Sequence, residues 1–170
     1  VTSGSAGAPI RASTLYLLRH AHAGDPEAWS GPDELRPLSE KGKRQVKRLA
    51  RFLAEGPTRP DAIVTSPKVR AELTARAIAK ALDIPVRLDQ RLAGGFGMRS
   101  LSDVLGTLEA RQPLLVGHDP DFSALLAGLV GSRGVEMRKG ALAAIDLAWP
   151  LERGSGALRF LLSPELFDKP

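Results

Sequence analysis

Short apolar runs alternate with helix-length amphipathic stretches along this chain, and that alternation restricts its fold more than any other feature. Thr14–Arg19, 61–65, Val86–Leu88 and Pro113–Gly117 read as buried strands. Helices are expected at Glu40–Glu55, 68–82 and 101–110, with a fourth opened by Asp119-Pro120 and reaching about Val130. Strands that alternate with helices join through right-handed crossovers, which gives a mostly parallel sheet covered on both faces. Stretches 142–148 and 157–162, separated by a polar link at 152–156, read as a closing hairpin. The expected architecture is therefore α/β: a three-layer α/β/α sandwich on a mostly parallel six-stranded sheet, with an antiparallel strand near the edge.

Local signals agree with these bounds. Ser39 is suited to cap the first helix with Glu40 in its first turn, and Gly56-Pro57 stops it. Pro67 suits the start of the second helix, whose core face is expected on Leu73, Ala77, Ile78 and Ala81. The third is expected to pack through Leu101, Val104, Leu105 and Leu108. Gly24, Asp25, Pro26, Gly31 and Pro32 break the stretch after the first strand into loop, and Gly94, Gly95 and Gly97 suggest a mobile one. Aromatic residues are only 5% of the chain, so the core must be aliphatic and alanine-rich. Residues 1–13 read as a loose leader, and 14–170 as one domain.

Composition removes several function classes. Without cysteine there is no disulfide, thiolate nucleophile or thiolate metal site. No apolar run approaches the ~20 residues of a membrane helix, and a cytoplasmic protein without membrane contact is the expectation. The net charge of +5 raises the question of nucleic acid. The cations crowd the first helix, where Lys41, Arg44, Lys47, Arg48 and Arg51 lie opposite an apolar stripe of Val46, Leu49, Ala50 and Leu53. That is the pattern of a solvated face. It lacks the interleaved aromatics of a base-stacking platform, so nucleic acid is not expected, whereas an acidic protein could dock there.

Ligands of open α/β sheets bind beyond the carboxyl ends of the strands. Three strands end there in chemistry-bearing groups: Arg19-His20 after the first, Ser66 with Arg70 one turn on after the second, and His118 after the fourth. Guanidinium forks and helix N-termini suit a phosphate dianion. A histidine among them suits a nucleophile toward phosphorus, kept neutral by the neighbouring positive charge. A second histidine can hydrogen-bond the transferred group. A metal held by His20, His22 and His118 competes with this reading, but the crowding arginines oppose it and no matching carboxylate set is present, so no metal and no cofactor are expected.

Leu17-Leu18-Arg19-His20-Ala21, the segment from Arg36 to Gly42, the segment from Thr65 to Ala75, and Val116-Gly117-His118-Asp119-Pro120 together resemble the histidine phosphatase (phosphoglycerate-mutase-like) superfamily. The short chain is similar within it to SixA-type phosphohistidine phosphatases. The resemblance runs from about Thr14 to the C-terminal strands and implies a phosphatase. His20 would be the phosphorylated nucleophile, Arg19 and Arg70 the phosphoryl clamp, and His118 the second active-site histidine. Arg36 would be a further cationic wall. Apart from the resemblance, Ser66 at its strand end is a candidate substrate contact, and His22, outside the matched motifs, reads as an exposed loop histidine or else a contact to substrate at the pocket rim. A phosphorylated protein carrying phosphohistidine is the implied partner, and a small phosphorylated molecule the alternative. A non-catalytic phosphate-binding module is a third reading. Ala21 replaces a glycine usual in the family. The family's acid after the third strand falls on Gly94, which leaves Asp89 and, more distantly, Glu72 as candidate carboxyls. No cap-sized insertion interrupts the motifs, so an open, shallow pocket is expected.

Overall fold

Strands β1 (Thr14–Arg19), β2 (Ala62–Thr65), β3 (Val86–Leu88), β4 (Pro113–Gly117), β5 (Leu142–Leu147) and β6 (Gly156–Leu162) form one sheet in the order β3-β2-β4-β1-β5-β6. This is a computed structural model, and it describes residues 10–57 and 59–167. β3, β2, β4 and β1 are mutually parallel, β5 runs antiparallel to β1, and β6 antiparallel to β5. The single reversed strand thus lies next to the edge, as the sequence indicated.

Helices α1 (Glu40–Glu55) and α2 (Val69–Leu82) cover one face, and α3 (Met98–Gly106) and α4 (Asp121–Leu129) the other. Side chains alternate across a pleated strand, so β1, β2 and β4 feed both cores. Leu15, Leu17, Val64 and Leu115 pack with α3 and α4, whereas Tyr16, Leu18, Ile63, Leu114 and Val116 pack with α1 and α2. Each such buried aliphatic side chain stabilises the fold by roughly 1.5–3 kcal/mol. Among the described residues no helix is long and apolar enough to cross a membrane.

The expected core face of α2 needs correction. Leu73, Ala77 and Ala81 are exposed, and Ala71, Thr74, Ala75, Ile78, Ala79 and Leu82 are buried. Alanines on all sides of this helix hide its periodicity, and a buried threonine interrupts the apolar stripe. Thr74 is satisfied there: its hydroxyl donates to the Arg70 carbonyl at 2.7 Å and accepts the Ala21 N–H at 3.2 Å. β3 is an edge strand with Leu88 exposed. The glycine-rich 94–97 loop is pinned by Phe96, which is buried and donates its N–H to Asp121 Oδ2 at 3.0 Å. Residues 1–9 of the expected leader lie outside the described residues. Its end is not loose, because Ala12 is buried, Ser13 bonds to the Arg111 carbonyl, and Trp149 Nε1 donates to the Ala12 carbonyl.

Candidate active site

Parallel pairing sets Arg19 opposite Gly117 and Thr65 opposite Val116, so the ends of β1, β4 and β2 are level and adjacent. His20, Ser66 and His118 therefore meet. The His20 N–H continues the ladder onto the Gly117 carbonyl at 3.0 Å. Its Nδ1 lies 2.8 Å from the Ala21 carbonyl, which can only accept, so Nδ1 carries the proton and Nε2 the lone pair. Arg70 Nε donates to that Nε2 at 3.3 Å.

The His118 ring is 5.1 Å from that of His20, tilted by 53°. Its Nε2 and Ser66 Oγ are 2.7 Å apart, so Ser66, a substrate-binding candidate from sequence, is engaged in orienting His118. Both rings are buried, at 5% and 7% exposure. Burial is the main reason both are weak bases: His20 is pushed down to about 3, with the His118, Arg70 and Arg19 charges adding to the effect. His118 is likewise pushed to about 3, by burial first and then by Arg70 and Lys68. The arginines alone were expected to keep His20 neutral; dehydration does more.

The three arginines are held differently. Arg70, from the first turn of α2, donates to both the carbonyl and the carboxylate of Asp33, at 2.7 and 2.9 Å. Arg36 is buried and reaches Asp33 Oδ1 at 3.0 Å and the Ala23 carbonyl at 2.8 Å, so it braces the 23–33 loop. Arg19 donates to the Met137 carbonyl at 2.8 Å and to Asp119 Oδ2 at 3.3 Å, and its Nε is buried without a partner among the described residues. His118 Nδ1 is the other buried side-chain nitrogen in that condition.

His22 is not an exposed loop residue. It is half-buried, with Nδ1 2.7 Å from Ser39 Oγ and its N–H on Gln45 Oε1 at 3.0 Å. Trp29 is partly exposed and lines a hollow of about 210 Å³ with Arg36 and Ser39, at the site's fringe.

Neither carboxyl proposed to replace the missing acid is available. Asp89 is bound by Arg91 through both oxygens, at 2.8 and 2.6 Å, and these bonds hold it below the usual carboxylate range. Glu72 pairs with Arg76 on α2. Gly94 instead borders a cavity of about 590 Å³ together with Glu34, Pro67, Lys68, Gln90 and Ala93.

Three residues escaped the sequence reading. Asp33 sits on the Asp33–Leu35 turn; burial opposes its ionisation, but bonds from Arg36 and Arg70 outweigh that and keep it charged. Glu34 follows it, facing the cavity beside Gly94. Lys139 precedes Gly140, whose N–H bonds to the Arg19 and His20 carbonyls at 3.1 and 3.0 Å. Burial lowers the Lys139 pKa, and the charges of Arg19, Arg36 and Arg70 lower it further, so its amine lies within their field. Loop glycines and prolines signalled turns here; no periodicity marks which side chains those turns deliver.

Among the described residues no three His, Cys, Asp or Glu side chains converge as a metal site would require. The arrangement gathers guanidinium and ammonium groups around a buried imidazole lone pair. It can hold an oxyanion and attack its central atom.

Comparison with known proteins bears on the family and the fold. Over 85 residues the chain is 35% identical to the transcription factor tau 55 kDa subunit of Saccharomyces cerevisiae, which covers 46% of this chain but only 20% of that protein. It is 35% identical over 112 residues to an uncharacterised protein of Picosynechococcus, covering 64% of this chain and 67% of that one. A solved structure named for the phosphohistidine phosphatase SixA of Agrobacterium tumefaciens superposes with a TM-score of 0.75 at 25% identity, covering 90% of this chain and 99% of that chain. Residues 15–97 match the histidine phosphatase superfamily (branch 1). On these grounds and on its fold, the chain belongs to the histidine phosphatase superfamily.

Proposed function

We propose that this protein hydrolyses the N–P bond of phosphohistidine on a protein partner through a phosphoryl intermediate on His20. The observation that carries the reading is the His20 ring itself: buried, neutral, and fixed by Ala21 in the tautomer whose lone pair lies on Nε2. In the first step Nε2 bonds to phosphorus while the substrate's N–P bond breaks, and the departing imidazole takes its proton from water. In the second step water attacks the phosphoryl group, its proton is released, and the N–P bond to His20 breaks to return the free ring. Arg19, Arg70 and Lys139 balance the charge of the group in transit. Arg19 Nε and His118 Nδ1, buried and unpartnered among the described residues, are the polar atoms that phosphoryl oxygens would satisfy.

The carboxyls support the N–P substrate class. An alkyl ester expels a poor leaving group that needs a positioned acid. Asp33, Asp89 and Asp119 are each bonded to arginine and serve as acceptors. Imidazole leaves without such help. A second reading, a small-molecule phosphomonoesterase, is favoured by one observation: Glu34 lines the cavity bordered by Gly94, the position on which the family's acid falls.

Steady-state assays on a phosphohistidine peptide, an aryl phosphate and a sugar phosphate separate the two. The first should be turned over well, the second weakly and the third hardly at all, with Glu34→Gln changing the peptide rate little. A preference for the sugar phosphate that collapses in Glu34→Gln would establish the esterase reading instead.

A further inference from the structure

Of the chain's net charge of +5, α1 holds four: Lys41, Lys43, Arg44, Lys47, Arg48 and Arg51 against Glu40 and Glu55. All six cations are exposed. Lys43 and Arg51 are offset by Glu40 and Glu55 on the same helix. Arg44, Lys47, Arg48 and Arg51 border a groove of about 480 Å³ on the outer face.

This helix is also tied rigidly to the nucleophile. The Ser39 N–H bonds to the His22 carbonyl at 3.0 Å, Ser39 Oγ meets His22 Nδ1 at 2.7 Å, and Gln45 accepts the His22 N–H. Gly42 packs so closely on the His22 carbonyl that a Cβ would collide with it. Helix and His20 are therefore separated by two residues of a fixed segment. From there the basic face runs away from the pocket rim for about 24 Å, the length of 16 helical residues. Core packing explains the apolar side of α1. Solubility alone does not require six cations on one rigid face that starts beside the candidate site.

We propose that this face is a docking surface for an acidic segment of the protein that carries the phosphohistidine. The proposal rests on the phosphohistidine reading above. Charge complementarity selects the partner: the like-signed face attracts carboxylates, and it lacks the exposed aromatic residues on which nucleic-acid bases would stack. An extended strand covers about 3.3 Å per residue, so some seven residues beside the phosphohistidine would span the face.

Two synthetic peptides test this, identical around the phosphohistidine but bearing beyond it either a seven-residue Glu/Asp run or the matching Gln/Asn run. At low ionic strength the wild type should favour the acidic peptide about tenfold in kcat/KM, mainly through KM, as several exposed ion pairs would give. The preference should shrink toward unity in 0.5 M NaCl. Charge reversal by Arg44→Glu with Lys47→Glu should abolish it while leaving turnover of the neutral peptide within about twofold. Equal turnover of both peptides by wild type, or a preference untouched by charge reversal, would overturn the proposal. So would an oligothymidylate that competes at lower concentration than the unphosphorylated acidic peptide. If neither peptide is hydrolysed, the phosphohistidine reading fails. Fluorescence anisotropy of the unphosphorylated acidic peptide then decides the surface alone: binding to wild type and not to the reversed variant retains it, and equal or no binding removes it.

Discussion

Leu17, Val64 and Leu115 lie midway along three adjacent strands with 0% exposure; at the carboxyl ends of the same strands His20, Ser66 and His118 are buried to 5%, 0% and 7%. The two regions are equally dry and chemically opposite. In the strand middles burial stabilises the fold, because apolar surface leaves water. At the strand ends it removes water from imidazoles and guanidiniums, which opposes folding and suppresses protonation of His20. The stability of the first region makes the second tolerable. Substitutions in the two should therefore have separable consequences, stability in one and chemistry in the other.

The largest effect is expected from His20→Ala. Loss of the group that forms the covalent bond should lower kcat by ~10⁴-fold or more, by comparison with other nucleophile deletions. Urea unfolding at pH 7 should nevertheless show a folded protein, because Arg70 keeps its bonds to Asp33 when the His20 acceptor is lost. Leu17→Ala should do the reverse. Truncating a fully buried leucine costs about 2–5 kcal/mol in the same unfolding measurement, while kcat of the protein that remains folded should change little.

Acid should act on both through one linkage. The folded-state pKa values of His20 and His118 are pushed to about 3, below their ordinary 6.5, so the unfolded chain binds more protons between those limits. Stability present above pH 6.5 is then lost as pH falls toward 3. Each ring should contribute up to roughly 1.4 kcal/mol per pH unit through the middle of that window. Unfolding curves at pH 6, 5 and 4 measure the slope, and His20→Ala should reduce it. A slope unchanged by that substitution would deny that the ring is buried neutral.

The smallest effect belongs to Asp89→Asn. Asp89 caps the Gln90–Ala93 turn and binds Arg91, so its role is structural. About 1 kcal/mol of stability should be lost, and the rate on a phosphohistidine peptide should stay within twofold.

How far this division is legible in the sequence follows from the same contrast. Strand interiors such as Leu15–Leu18 announce themselves by continuous apolarity, and Arg19, His20, Ser66 and His118 follow at once on strand ends, so parallel pairing brings them together. Asp33, Glu34 and Lys139 could not be found that way. They are delivered by turns whose positions depend on tertiary bonds, among them Arg70 to Asp33 and Gly140 to the Arg19 and His20 carbonyls. The sidedness of α2 failed for a different reason. Its alanines make Ala77 and Ala81 look like core candidates, while Thr74 takes a core position that polarity argued against. The burial of His20 was also hidden, because it is a property of the packed layers and not of its neighbours in the chain.

The central claim is that His20 carries the phosphoryl group, and trapping that group tests it most directly. The protein would be mixed briefly with a radiolabelled phosphohistidine peptide, denatured in alkali, and digested for mass spectrometry. The account predicts a label on the peptide containing His20 that is stable to base, labile to acid, and missing from His20→Ala. Turnover without such a label, or an acid-stable label on another residue, would contradict it.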